Sequence, residues 1–421
     1  MLRVPITSAM PGMILALPVY HPRRHDTVLL KAGMSLDRHS IRRLEEIRLR
    51  QVWIRYPGVE FVCEYICPAV YESQAVLTHQ IACALDSVAQ RASAVLDYST
   101  YRNAINAVLG RLIANSSAAV FVQELAGRDE PILRHASNVC LTSILMGLKL
   151  DDYLVFERSR LGASTARDVS SLGVGAMLHD IGMLRLDPAV VQRWNATLDE
   201  SDPQWRQHVQ VGYDLVKDAI GPSAAAGVLH HHQKFDGTGF PLRRSLCGGD
   251  APQGSEIHVF ARIIAVADLF DRLRNPPGGT PDDQPVPVVR ALRLMRQAPY
   301  AGWIDPMVFK ALLSVVPAYA PGTLVRLSNG QTAVVTQWFP DDPCRPTVST
   351  VGDIEREFES ARHRAQRFVL REQPELSVIQ AEGQDVAADN FYPGTPGEFD
   401  LKLAGKALYN RAAHVNVSKA G

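Results

Sequence analysis

Apolar residues repeat along this chain with two different periods, and the change from one to the other divides it. Short apolar runs at 13–17, 27–30 and 51–54 surround one amphipathic stretch, 36–49. There Leu36, Ile41, Leu44 and Ile47 recur at helical spacing while Arg42, Arg43, Glu45 and Glu46 take the other faces. This predicts a small α+β module over residues 1–60. From about 72 to 127 the pattern is helical and alanine-rich, with no proline between Pro68 and Pro131, which predicts a helical connector over 61–127. Helical periodicity then dominates 128–315, with helices predicted at 136–148, 168–180, 203–220, 222–232, 257–273, 286–297 and 305–315. The proline- and glycine-rich stretch 275–285 breaks that series as a loop, because neither residue continues a helix cheaply.

Past Pro321 alternation replaces the helical period. Segments 323–328 and 331–336 flank Asn329-Gly330, the strongest short hairpin signal. With further strands predicted at 346–351 and 366–370, residues 316–371 are expected to form a small β unit. Residues 372–421 are expected to be a loosely packed tail with one short helix near 400–409. The predicted fold class is mainly α, a helical bundle between an N-terminal α+β module and a short C-terminal β unit.

Composition narrows the function classes. Lys and Arg total 44, as do Asp and Glu, among 421 residues. No net field draws such a protein to nucleic acid or to an anionic membrane, so any attraction for a phosphate must be local. The six cysteines, Cys63, Cys67, Cys83, Cys140, Cys247 and Cys344, are scattered through a chain too long to depend on disulfides, and read as reduced thiols. Cys63 and Cys67 have ligand-like spacing, but no second pair completes a zinc site. The N-terminus lacks the basic start and apolar run of an export signal. The longest apolar stretches, such as 118–122 and 263–267, fall short of the roughly 20 residues that cross a bilayer. A cytoplasmic protein without a membrane span is expected.

Candidate chemistry concentrates in the helical part. His231 and His232 are followed by Gln-Lys-Phe-Asp236-Gly237-Thr238-Gly239-Phe240-Pro241, and His179-Asp180 lies some fifty residues upstream. Imidazoles with carboxylates suit middle-to-late first-row divalent ions, and an aspartate can bridge two of them. Neighbouring helical residues point about 100° apart, so an adjacent pair reaches two metals or two sides of one. His230 then faces away. By itself His179-Asp180 also fits a capped helix end, and a triple histidine also fits an adventitious metal binder. Asp268 sits in the otherwise apolar helix Arg262-Ile-Ile-Ala-Val-Ala-Asp268-Leu-Phe-Asp271, where a carboxylate needs a cation or a donor. Asp271, one turn later, faces the same side and either orients a ligand imidazole or contacts substrate. Nothing local distinguishes His135 or His208 from ordinary helix histidines.

Taken in order, His135, Leu178-His179-Asp180-Ile181-Gly182, His208 with Gly212, His231-His232 with Asp236 to Pro241, and Val266-Ala-Asp268-Leu-Phe-Asp271 resemble the HD-GYP family of cyclic di-GMP phosphodiesterases over roughly 129–315. The resemblance implies an HD-type phosphohydrolase bundle. It implies metal ligation by His135, His179, Asp180, His208, His231, His232 and Asp268, with Asp180 bridging two ions, commonly iron or manganese. The first 60 or so residues are similar to an accessory module often fused to such domains.

Three positions depart from the family pattern. Met183 stands where a lysine usually approaches the substrate phosphate, which removes one source of charge stabilisation. Phe240 replaces a tyrosine, and Pro131 replaces a glutamate found in three-metal members, so two metals are expected. The implied reaction is opening of cyclic di-GMP to pGpG, with onward cleavage to GMP left open. Asp180 and Asp271 are expected in catalytic roles, and Arg185, Gly239, Phe240, Pro241 and Arg272 at the substrate, with Arg274 a further source of charge. The alternatives are a cyclic di-GMP sensor or interaction module with weakened activity, or a phosphohydrolase of another cyclic dinucleotide or nucleotide. Expected partners are cyclic di-GMP, signalling proteins and a second copy, and the sequence is silent on whether the helices at 72–127 join the copies.

Overall fold

The computed structural model describes residues 1–21, 24, 27–47, 49, 51–56, 67–90, 96–114, 131–243, 249–278, 284–351 and 366–405. Several features raised by the sequence lie outside them: Cys63, Cys247, residues 118–122, the middle of the 275–285 loop and the last four residues of the helix expected near 400–409, of which 401–405 are helical.

The N-terminal module contains β1 (Leu2–Pro5), β2 (Val19–Tyr20), β3 (Val28–Leu30), α1 (Arg38–Glu46) and β4 (Gln51–Ile54). β1 pairs antiparallel with β4, Leu2 opposite Ile54, and β2 pairs with β3. The helix starts where it does because Asp37 and Ser40 form a reciprocal capping box, with Asp37 Oδ1 accepting from Ser40 N at 2.7 Å. Two long helices follow, α2 (Pro68–Gln90) and α3 (Tyr98–Ala114).

The bundle comprises α4 (Pro131–Lys149), α5 (Asp151–Glu157), α6 (Ala163–Arg167), α7 (Ser170–Leu178), α8 (Pro188–Thr197), α9 (Gln207–Val216), α10 (Pro222–His230), α11 (Val259–Arg274), α12 (Val288–Met295), α13 (Tyr300–Trp303) and α14 (Pro306–Leu313). α7 is buried on nearly every side, among α3, α4 and α10, as its unbroken run of apolar and small residues requires. The helix expected over 168–180 stops at Leu178 because residues 181–185 tighten into a 3-10 turn. The segment predicted as helix from 203 to 220 is helical over Gln207–Val216. α5 and α8 are helices the periodicity did not single out; α8 is announced instead by its start, where Asp187 caps the helix and Pro188 takes the first turn.

Past the bundle, β5 (Leu324–Leu327), β6 (Thr332–Gln337), β7 (Thr347–Thr350), β8 (Arg367–Val369), β9 (Val378–Ala381) and β10 (Gln384–Asp385) form one antiparallel sheet ordered β10-β9-β5-β6-β7-β8. Asn329-Gly330 turns the β5–β6 hairpin, with Gly330 at φ 84°. The loosely packed tail expected beyond residue 372 is corrected here: β9 pairs with β5 inside the sheet and buries Val378 and Ala381. Further along, Phe391 and Phe399 hold the Arg296 guanidinium against both rings, 4.9 and 4.8 Å from their centroids. The N-terminal module also meets the sheet region. Val334 and Val351 of the sheet region join the apolar core of the N-terminal module, and Arg3 donates to Thr323 Oγ1 at 3.0 Å.

One buried charge ties α5, α11 and α14 together. Arg262 donates to Asp305 Oδ2 at 2.7 Å, to Tyr153 Oη at 2.6 Å, to Ile257 O at 3.0 Å and to Glu157. Asp305 also caps α14 through Met307 N at 2.8 Å. A buried cation is tolerable only while its partners remain. Asp305→Ala is therefore expected to destabilise the protein by about 3–5 kcal/mol, read from urea unfolding midpoints.

Candidate metal centre

The ends of three short helices, with one face each of α4 and α11, converge on a pocket filled by imidazoles and carboxylates. His179 and Asp180 follow α7, His208 lies in the first turn of α9, and His231 and His232 follow α10. His135 comes from α4, and Asp268 and Asp271 come from α11.

Ring orientation is set by backbone carbonyls. His179, His208 and His231 each donate Nδ1–H to the carbonyl three residues earlier: Ala176 O at 2.8 Å, Trp205 O at 2.7 Å and Val228 O at 2.8 Å. A carbonyl only accepts, so Nδ1 carries the proton and Nε2 is the bare nitrogen turned into the pocket. His135 is held the same way by a carboxylate, Nδ1 lying 2.7 Å from Asp271 Oδ2.

The bare nitrogens then face one another. His208 Nε2 is 3.4 Å from His231 Nε2, and neither neutral ring has a proton to place between them. His232 Nε2 is 3.1 Å from His208 Nε2, and His135 and His179 approach at 3.2 Å. At His208 and His231, two acceptors packed this closely repel unless a cation lies between them.

Asp180 joins the two groups. Its Oδ1 lies 3.5 Å from His208 Nε2 and 3.3 Å from His231 Nε2, while Oδ2 lies 3.6 Å from both His135 and His179 Nε2. One group is thus Asp180, His208, His231 and His232, and the other His135, His179 and Asp180, with the ligand atoms of each within 4.8 Å of one another. Asp268 Oδ1 stands beside the second group, 3.1 Å from His135 Nε2.

The titration of these groups suits a cation. Burial pushes His179 and His208 down to about 4, and His232 well below its usual value, so these rings stay neutral donors at pH 7. Burial also opposes charge on Asp180, but His179, His231 and His208 outweigh it and hold the carboxyl well below the ordinary range. For His135 burial again disfavours the charged ring, yet hydrogen bonds to Asp268 and Asp271 push it up to about 10. A divalent ion would satisfy the same carboxylates as that proton, and the two compete. The nitrogen and carboxylate donors fit middle-to-late first-row divalent ions.

Close backbone contacts make the geometry possible. A Cβ on Gly182 would come within 2.0 Å of His208 O and 2.6 Å of Gly212 N, so only glycine lets the turn after Asp180 rest on α9. A Cβ on Gly239 would fall 2.5 Å from His232 O and 2.4 Å from Lys234 N. Phe240 N donates to His232 O at 3.2 Å, its ring stacks on His232 at 4.8 Å, and Pro241 O accepts from Gln233 Nε2 at 2.6 Å.

Several residues expected in substrate or catalytic roles make contacts inside the protein. Gly239, Phe240 and Pro241, expected at the substrate, brace His232 from behind, with Phe240 only 4% exposed. Asp271, expected in a catalytic role, has both oxygens engaged inside the protein: Oδ2 by His135, Oδ1 by Asn138 Nδ2 at 2.7 Å and Asn275 Nδ2 at 3.0 Å. It orients His135. Arg274 reaches away, to Glu382 Oε2 and Val286 O, both at 3.0 Å. Arg272 does border the site, donating to Asp268 Oδ2 at 2.6 Å and to Glu200 Oε1 at 3.2 Å. Arg185 ends the 3-10 turn beyond Asp180, half-buried.

Met183 packs with Val190, Trp194, Trp205, Val209 and Phe240. Trp205 stacks on Trp194 at 3.9 Å and touches His208 and His232 at 4.7 and 5.0 Å, forming an apolar wall behind one histidine group. The sequence reading passed over Trp205, Asn138, Lys234 and Glu200. Asn138 follows His135 at helical i+3 spacing and Lys234 follows His232 by two residues, and these spacings were the available signals.

Asp271→Ala is expected to release His135 and lower affinity for manganese about 10- to 100-fold while the fold persists, as measured by competition with a chelating dye. Gly182→Ala is expected to remove more, by pushing α9 away from Asp180, and to show metal content near zero in elemental analysis.

Residues 154–308 match the family described as the HD domain. The chain is 28% identical over 251 residues to a cyclic di-GMP phosphodiesterase of Pseudomonas aeruginosa, covering 59% of this chain and 54% of that protein. It is 30% identical over 117 residues to the cyclic di-GMP phosphodiesterase response regulator RpfG of Xanthomonas campestris, covering 27% and 29%. It is 33% identical over 141 residues to a 3'3'-cGAMP-specific phosphodiesterase of Vibrio cholerae, covering 32% and 27%. The chain thus spans about half the length of the first relative and under a third of the other two. A solved HDG"Y"P protein of Bdellovibrio bacteriovorus is 16% identical with a TM-score of 0.43, over 74% of this chain and 97% of that one. Residues 154–308, which hold every member of the cluster except His135, match the HD domain, and the chain is similar over part of its length to proteins named cyclic di-GMP phosphodiesterases.

Proposed function

We propose that this chain is a metal-dependent phosphodiesterase that hydrolyses cyclic di-GMP to pGpG, holding two divalent ions, iron or manganese, between His135, His179, Asp180, His208, His231, His232 and Asp268. The observation that carries the reading is the Asp180 carboxylate, each oxygen of which faces a separate histidine group. Divalent ions held by these residues would supply Lewis-acid chemistry for phosphodiester hydrolysis. Asp180 would help to hold an ion on each side through its separate oxygens, and the imidazoles of His179, His208 and His231 would offer Nε2 because backbone carbonyls hold their Nδ1 protons. Asp271 holds His135, and the Trp205 wall keeps bulk water from the His208 side, which strengthens every electrostatic contact inside. Arg185, at the end of the 3-10 turn beyond Asp180, and Arg272, which donates to Asp268, serve the substrate phosphates. No helix among the described residues is long and apolar enough to cross a membrane, which supports action in the cytoplasm.

A second reading, a cyclic di-GMP sensor with slow turnover, is favoured by Met183. Its side chain lies in an apolar cluster and carries no charge toward a phosphate. One experiment separates the readings. Protein loaded anaerobically with manganese or ferrous iron is incubated with cyclic di-GMP, and the products are resolved by chromatography. We expect pGpG, about two metal ions per chain by elemental analysis, and a rate for His179→Ala below about one hundredth of wild type. Tight binding without product would establish the sensor. Faster cleavage of 3'3'-cGAMP in direct competition would reassign the substrate.

A further inference from the structure

Two cations stand at the edge of the metal pocket and share one carboxylate. Arg272 Nη1 donates to Glu200 Oε1 at 3.2 Å, and Lys234 Nζ donates to Glu200 Oε2 at 2.9 Å. Both belong to segments that carry candidate metal ligands: Lys234 follows His232 by two residues, and Arg272 follows Asp268 by one helical turn. Glu200 comes from elsewhere, the loop between α8 and α9, whose backbone is pinned where Arg206 Nε donates to Glu200 O at 2.6 Å.

We propose that Lys234 and Arg272 are the phosphate clamp of this active site, and that Glu200 is a built-in anion which a substrate phosphate must displace. The proposal rests on the metal-dependent phosphodiester chemistry put forward above and supplies the positive charge that Met183 does not. Two cationic groups donating to separate oxygens of one carboxylate reproduce the geometry in which they would hold two oxygens of a phosphate. Each of the three side chains keeps about a fifth of its surface open, 17% for Lys234, 17% for Arg272 and 23% for Glu200, so an anion can reach them from solvent.

Neither cation depends on Glu200 for its position. Arg272 keeps its 2.6 Å bond to Asp268 Oδ2, and Lys234 lies 3.3 Å above the centroid of the Trp303 ring. The Nε of Arg272 is buried without an acceptor among the described residues, so the guanidinium retains an unused donor. Displacing Glu200 therefore moves a carboxylate toward water and leaves two cations in place. A site arranged this way binds phosphate more weakly than the bare pair would, and releases phosphorylated product faster.

The test uses the manganese-loaded full chain and two probes, orthophosphate binding by calorimetry and KM for bis(4-nitrophenyl) phosphate. Glu200→Gln is expected to tighten orthophosphate binding about tenfold and lower KM, at unchanged metal content. Lys234→Met is expected to weaken binding and raise KM about tenfold and to flatten their dependence on ionic strength, whereas Lys234→Arg stays near wild type. The clamp is overturned if Glu200→Gln, with wild-type melting temperature and metal content, leaves phosphate affinity unchanged or weakens it. It is equally overturned if Lys234→Met alters neither affinity nor KM, and that variant decides alone should Glu200→Gln not fold. Neither probe is a cyclic dinucleotide, so failure to open cyclic di-GMP would refute the proposed substrate while the clamp is still judged on phosphate.

Discussion

A protein can hold three or four bare imidazole nitrogens within a few ångströms of one another only if something fixes each ring against mutual repulsion. Here that work falls to carbonyls three residues upstream of His179, His208 and His231, at the frayed ends or first turns of helices where carbonyl and amide groups are not all consumed by the helix itself. Each ring is locked in one tautomer before any ion arrives. Asp180 then divides its two oxygens between the groups, and the pocket becomes two adjacent sites with one shared wall.

The rest of the bundle keeps those ring positions from relaxing. α11 is the common strut, presenting Asp268, Asp271 and Arg272 to the pocket while Arg262, near its start, is locked to Asp305, Tyr153 and Glu157. At its far end Arg274 engages Glu382 in the turn between β9 and β10. Burial opposes the charge of Glu382, yet Arg274 and Arg3 hold its carboxyl below the usual range. The C-terminal sheet is thereby tied to the helix that carries Asp268, and Arg3 of the N-terminal module adds an electrostatic attraction to the same carboxylate.

Much of this was readable in the chain, for local reasons. The Asn329-Gly330 hairpin, the amphipathic 36–49 stretch and the buried helix before His179 follow from residue periods and turn chemistry acting over a few positions. His179-Asp180 and His231-His232 stand out because adjacent ligand-type side chains are conspicuous, and Asp268 because a carboxylate in an apolar helix needs a partner. The strands at 378–385 were not legible: Val378-Ile-Gln-Ala is short, and what makes it a strand is the open edge of β5 more than fifty residues earlier. Asp271 left two roles open in sequence, and only its hydrogen bonds from His135, Asn138 and Asn275 chose between them.

By itself, then, the sequence determined the helical class, the order of the candidate ligands and the chemistry those ligands favour, because residue type and short-range spacing carry that information. Tertiary structure alone decided which candidate ligands share a group, that Phe240 packs on His232, and that Lys234, Arg272 and Glu200 meet. Those outcomes depend on distances between segments separated by tens of residues. Such distances are set by how α7, α9, α10 and α11 pack, and by where glycines at 182 and 239 allow backbones to touch.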